Sequence, residues 1–111
     1  MKGGGNAVDA AVAAAATLNV VEPMMTGVGG DVFALVYMRR SDKLHCLNAS
    51  GSSPMKASLD EYKRRGYDRM PEEGILSVTV PGAVHGWVGL VENFGIMPLS
   101  KILRPAIHYA E

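Results

Sequence analysis

Apolar positions crowd the front of the chain, where AVDAAVAAAATLNVV at 7–21 runs for fifteen residues with almost no polar face. Asn6 is placed to accept from the first-turn amides, Asp9 favours the positive end of the dipole, and Pro23 forces the preceding residue out of helical geometry. The pattern predicts a helix over 7–21. Ala7, Val8, Ala11, Val12, Ala15, Leu18 and Val21 form one stripe, and Ala10, Ala13, Ala14 and Ala16 make the other faces apolar too. A helix apolar all round is a buried one. In a domain of 111 residues each helix ordinarily keeps a wet face, so this one requires neighbours on every side.

The period then changes. DVFALVYM at 31–38 is β-branched and aromatic, RRSDK at 39–43 reads as a turn, and LHCLN at 44–48 alternates, which predicts a β-hairpin over 31–48. Its first strand is apolar on both faces and expects cover above and below. ASGSSP at 49–54 is a loop of small and hydroxyl residues. Ser58 and Glu61 form an S-x-x-E capping box, Asp60 is one turn from Arg64, and Gly66 suits a left-handed stop, so a short surface helix is expected over 58–65 with KRR as a solvated face. ILSVTV at 75–80 reads as a short strand broken by Pro81-Gly82. Val84, Trp87, Val88 and Val91 then share one face of a helix over 82–94 that Gly95 ends. A last helix is expected from about 100 to 110, with Pro105 as a kink, stopping at Glu111 without a cap. No repeat, low-complexity tract or linker divides residues 1–111, which are read as one unit.

Composition narrows the class. With 48% hydrophobic residues, 20% charged and a formal net charge of zero, the sequence is that of a soluble globular protein without a basic surface for nucleic acid. The run at 7–21 falls short of the roughly 20 residues a membrane span requires, and Gly3 to Asn6 and Asp9 spoil a secretory signal. The lone Cys46 has no disulfide partner in this chain and reads as a small buried apolar side chain. A cytoplasmic location is the default expectation.

Candidate chemistry is sparse. GVGGD at 27–31 stands between a helix and a strand, the reverse of a phosphate cradle, so its glycines are expected to let the turn pass tightly under other backbone. His45, His85 and His108 lack metal-ligand spacing and are read as single polar contacts. Ser50, Ser52 and Ser53 have no nucleophile elbow around them, and read as loop hydroxyls.

GGNAVDAAVAAA, VVEP, GVGGDVFALVY, SVTVPGAVHGW and FGIMPLSKILRPAIHYA, in this order and spacing, resemble the amino-terminal part of the γ-glutamyltranspeptidase family across nearly the whole chain. The resemblance implies an α+β fold, a portion of an N-terminal-nucleophile hydrolase αββα sandwich, taken from near the front of the large subunit. It implies as partners the rest of that subunit, the small subunit of the same precursor and a small-molecule amide substrate, with no cofactor. It also implies amide cleavage through an acyl-enzyme on a threonine that begins the small subunit. That Thr-Thr-His segment does not occur in 1–111, so no catalytic residue is assigned here. Family members carry an arginine that clamps the substrate α-carboxylate on the loop after the second strand. Here that loop is LNASGSSP, 47–54, and the equivalent places fall at Ser50 or Ser52, the two candidate substrate-binding residues. A serine hydroxyl lacks the bidentate charged fork that recognises a carboxylate. Arg39, Lys56 or an arginine outside 1–111 are the remaining sources of that charge. The glycine turn and SVTVPGAVHGW resemble the transpeptidase-like branch with acylases and small-amide hydrolases. A non-catalytic assembly module and a nucleotide binder are the readings from other classes.

Overall fold

The computed structural model describes residues 3–111. Helix α1 spans Ala7–Val21, strands β1 (Val32–Met38) and β2 (Lys43–Ala49) form an antiparallel hairpin, and α2 spans Leu59–Arg64. Helices α3 (Ala83–Phe94), α4 (Leu99–Ile102) and α5 (Arg104–Ala110) follow. The expected mixture of helices with one small antiparallel sheet is present. α3 is the middle layer, packing on both strands on one side and on α1 on the other, while α1 also packs on α4 and α5. The core gathers Val12 and Ala16 of α1, Ala83, Trp87 and Leu90 of α3, Ile102 of α4 and Ala106 of α5.

The start of α1 is held by more than a local cap. Asn6 Oδ1 accepts from the Val8 and Asp9 amides at 2.9 and 3.0 Å, and Asp9 Oδ2 accepts from the Asn6 amide at 2.8 Å, a reciprocal capping box. The same two side chains reach across the molecule. Asn6 Nδ2 donates to the Phe94 carbonyl at 2.7 Å, and the Asp9 carboxylate accepts from the amides of Ile96 at 3.2 Å and Met97 at 3.5 Å. Asp9 is only 3% exposed, so the carboxylate is enclosed by amide donors where α3 ends. Gly5 and Gly95 close over it: a β-carbon at Gly5 would lie 2.9 Å from Asp9 Cβ, and one at Gly95 would lie 2.7 Å from Asp9 Oδ1.

Several elements depart from expectation. α1 is not covered all round: Ala7, Ala11, Ala14, Leu18 and Val21 line an exposed apolar face, because the neighbouring helices reach only the side of Asp9, Val12 and Ala16. Residues 75–80 are not a strand. Ile75–Ser77 forms a single 3-10 turn, Val78 is extended, and residues 78–80 make no strand pairing, since the sheet contains β1 and β2 alone among the described residues. The final helix is two, α4 and α5, because Pro105 has no N–H to bond back and the chain resets at Leu103. Cys46 is exposed, not buried. It lies on the strand face turned away from α3, opposite Leu35 in the register.

In α2, the Ser58 hydroxyl accepts from the Glu61 amide at 3.3 Å and Gly66 has a positive φ of 86°, as the sequence suggested. The partner of Arg64 is Glu61, not Asp60. Glu61 accepts from Arg64 Nε at 2.9 Å and Nη2 at 2.7 Å and from Arg65 Nε at 2.6 Å, because positions three and four residues on share its face. With its carboxylate so engaged, Glu61 leaves the reciprocal half of the capping box unmade. The two guanidiniums hold Glu61 below the ordinary carboxylate value of 4.5. A lowered pKa contributes stability above the unfolded value and loses it as pH falls through the folded one. The Glu61 side-chain carbon resonance is therefore expected to titrate below pH 4.5, and Arg64→Gln with Arg65→Gln should move its midpoint up.

The molecule is a slab of 53 × 39 × 17 Å with a radius of gyration of 17.0 Å, whereas a compact chain of this length has about 13 Å. It exposes 8532 Å² where a self-contained 11.8 kDa domain exposes about 5900 Å². Large apolar side chains stand among what it exposes. On the outer face of the hairpin Phe33, Leu35 and Leu44 are 67%, 73% and 60% exposed, and Tyr37 stands with them. Both strand faces are apolar as the sequence indicated, but only the inner one, Val32, Ala34, Val36 and Leu47, is covered.

Candidate functional site

The loop of Ser50 and Ser52 leaves the sheet where three backbone segments converge. The register pairs Val32 with Ala49, which brings the Gly30-Asp31 turn beside the exit of β2. The Gly30 carbonyl accepts from the Gly82 and Ala83 amides at 3.0 and 2.9 Å, anchoring the start of α3 there. Val80 passes so close to Gly51 that a β-carbon on Gly51 would meet the Val80 carbonyl, and one on Gly82 would meet the Ala49 carbonyl. Gly86 continues the contact one turn into α3, where a β-carbon would lie 2.7 Å from Ala49 Cβ and 3.1 Å from Val32 Cβ. Close approach, not φ, demands glycine at these positions, since none of them has a positive φ.

Asn48 Oδ1 accepts from the Ser50 amide at 3.0 Å, a local turn that swings the chain out of the strand. Ser50, Ser52 and Ser53 stand exposed beyond it, and Lys56 is exposed on the same connection. Arg39 sits on the hairpin turn at the opposite end of β2. A seven-residue strand spans about 23 Å, so the fold separates Arg39 from Ser50.

The GVGGD turn differs from its expected role. Gly27 and Gly29 have open space around them among the described residues, while Gly30 bonds its amide to the Gly27 carbonyl at 3.0 Å and turns its carbonyl to α3. A turn that spends its amide internally and presents a carbonyl is the wrong polarity for a phosphate cradle. The histidines also differ: His45 rests its ring against Phe94 at 4.9 Å and His108 lies beside Tyr109 at 5.6 Å, aromatic contacts instead of polar ones, and His85 is exposed. Among the described residues no three His, Cys, Asp or Glu converge on a metal-sized site.

Two features of this end were invisible to sequence reasoning. One is the trio Gly51, Gly82 and Gly86, whose partners lie on other segments. The other is Asp31, whose Oδ1 is buried and unpartnered among the described residues, as is Nε1 of Trp87.

The family model described as gamma-glutamyltranspeptidase matches residues 1–111. Over 109 residues the chain is 43% identical to the glutathione hydrolase-like YwrD proenzyme of Bacillus subtilis, covering 97% of this chain and 20% of that protein. It is 40% identical to the acylase ACY 1 proenzyme of Pseudomonas sp. strain V22, again with 97% of this chain and 21% of the relative covered. Among solved structures, cephalosporin acylase from Bacillus halodurans superposes with a TM-score of 0.85 at 47% identity, over 98% of this chain and 20% of that one. Helicobacter pylori gamma-glutamyltranspeptidase gives 0.85 at 34% identity, over 99% and 32%. The chain spans about one fifth of the length of the curated relatives it matches. Sequence and fold agree, and this chain belongs to the gamma-glutamyltranspeptidase family, as a portion of its N-terminal-nucleophile hydrolase architecture.

Proposed function

We propose that these residues are the front of the large subunit of an autoprocessed amide hydrolase acting on γ-glutamyl or related small amides. The nucleophile is a threonine outside 1–111 whose own α-amine takes the hydroxyl proton. The hydroxyl attacks the amide carbonyl, paired donors hold the oxyanion, the protonated α-amine passes its proton to the amine that leaves, and water or an amino acid then takes the acyl group. The role assigned to this chain is positional: the loop of Ser50 and Ser52, pinned at Gly51 by Val80, borders the acyl end of the substrate.

The observation that carries this reading is family membership over the whole chain, joined to an arginine-free loop. With neutral hydroxyls at Ser50 and Ser52, an α-carboxylate gains little there, which favours the acylase-like side of the family. The full-length protein is expected to mature to a threonine-initiated subunit and to hydrolyse γ-glutamyl-p-nitroanilide and pentanoyl-p-nitroanilide with KM values within a few-fold. Ser50→Arg or Ser52→Arg is expected to lower KM for the γ-glutamyl anilide alone by about tenfold, the scale of one charge-assisted pair. A mature protein that hydrolyses neither anilide would overturn the activity.

A further inference from the structure

Asp31 stands at the root of the Ser50–Ser52 loop. Its neighbour Val32 pairs with Ala49, the last residue of β2, so one strand spacing of about 4.8 Å separates Asp31 from the point where the loop leaves the sheet. Gly30 on its other side is fixed, because the Gly30 carbonyl takes the Gly82 and Ala83 amides at the start of α3. The backbone that carries the carboxylate is therefore held. Its Oδ1 is buried and accepts no hydrogen bond among the described residues. Nor does a cation answer it, since the ion pairs of the described residues all lie between Glu61 and Glu72. A buried acceptor without a donor favours an occupant that brings an N–H, and a carboxylate favours one that brings it as a cation.

We propose that Asp31 is a specificity-determining residue whose carboxylate selects acyl groups that end in an ammonium and carry no carboxylate, the ω-amino acyl amides. The inference rests on the proposed place of the Ser50–Ser52 loop beside the acyl end of the substrate, and adds a charge to that place. Residues 47–54 hold no arginine or lysine, so the loop itself does not neutralise the anion at 31. One strand spacing lies within the Debye length of about 8 Å at physiological salt, so an acyl carboxylate there is repelled and an ammonium attracted. A γ-glutamyl group carries both charges on one carbon and the two effects offset, which agrees with the similar KM values expected for the γ-glutamyl and pentanoyl anilides. Removing either charge from that carbon separates them.

A set of p-nitroanilides tests it on the mature full-length protein: γ-aminobutyryl, which lacks the carboxylate, glutaryl, which lacks the amine, and pentanoyl, which lacks both. The γ-aminobutyryl anilide is expected to have a KM about tenfold below that of pentanoyl, the scale of one charge-assisted pair, and the glutaryl anilide a KM above it. Asp31→Asn, which keeps the shape and removes the charge, should lower the γ-aminobutyryl-to-pentanoyl ratio of kcat/KM about tenfold, through KM and not kcat. Ser52→Arg, which adds a cation to the same loop and leaves Asp31 in place, should reverse the order of the γ-aminobutyryl and glutaryl anilides. Hydrolysis with a ratio unchanged in Asp31→Asn would overturn this inference alone. A wild type that prefers glutaryl would also overturn it, assigning the charge at this end to Lys56. Calorimetry separates it from the proposed activity: a protein that hydrolyses no anilide loses that activity, yet γ-aminobutyramide bound about tenfold more tightly than butyramide, with the difference gone in Asp31→Asn, would uphold the role of Asp31, and equal affinities in the wild type would sink it.

Discussion

Asp9→Ala is expected to destabilise the folded full-length protein by about 3 kcal/mol, read as a lower urea midpoint at unchanged slope. The carboxylate is the shared acceptor for the amides of Asn6, Ile96 and Met97, and the site is almost closed to water. Removing it strands buried donors at two places far apart in sequence, the first turn of α1 and the loop after α3. Asp9→Asn, which keeps one oxygen in place, should recover part of the loss. If Asp9→Ala matched the wild-type midpoint within about 0.5 kcal/mol, the size of an ordinary surface substitution, the carboxylate would not be the tie between α1 and α3.

Gly82→Ala is expected to cost a similar amount, about 3 kcal/mol, by a different route. A methyl group there would collide with the Ala49 carbonyl oxygen at the end of β2. The start of α3 must lift, stretching its two bonds to the Gly30 carbonyl. The loop of Ser50 and Ser52 hangs from the same point, so limited proteolysis should cut residues 50–57 faster in this variant than in the wild type. Gly89→Ala is the control. Its β-carbon meets nothing within 4 Å, and a mid-helix alanine should be neutral or stabilising.

What the sequence made legible is local. Asn6 as a cap, Gly66 as a left-handed stop and the hairpin over 31–48 all depend on chemistry within a few residues, and Pro105, expected only to kink the last helix, divides it in two. The partners of those residues did not show. Asp9 read as a favourable charge in a first turn, while its strongest constraint comes from amides 87 and 88 residues away. Glu61 and not Asp60 holds Arg64, a choice that spacing alone does not rank because three- and four-residue separations both share a helix face. ILSVTV carries β propensity but has no strand beside it, and a lone segment cannot make a ladder. Ser50 and Ser52 were singled out by resemblance, and the fold adds what no motif held: the glycine contacts that pin their loop and the length of strand that removes Arg39 from it.

The apolar run over 7–21 and the two-faced strand at 31–38 asked for cover that 111 residues do not supply, and the exposed stripe of α1 and the bare outer face of the hairpin are the structural form of that demand. Relatives about five times as long match the chain across its length. A place inside a larger sandwich requires the outer face of the hairpin to be buried in the whole protein. Cys46 reports on it directly, since it stands on that face opposite Leu35 and is exposed in this chain. The decisive measurement is the rate at which N-ethylmaleimide labels Cys46 in the folded full-length protein, followed by mass spectrometry of its peptide. A covered face leaves the thiol unmodified until the protein is denatured. Labelling at the rate of an open thiol in the native, mature protein would contradict it.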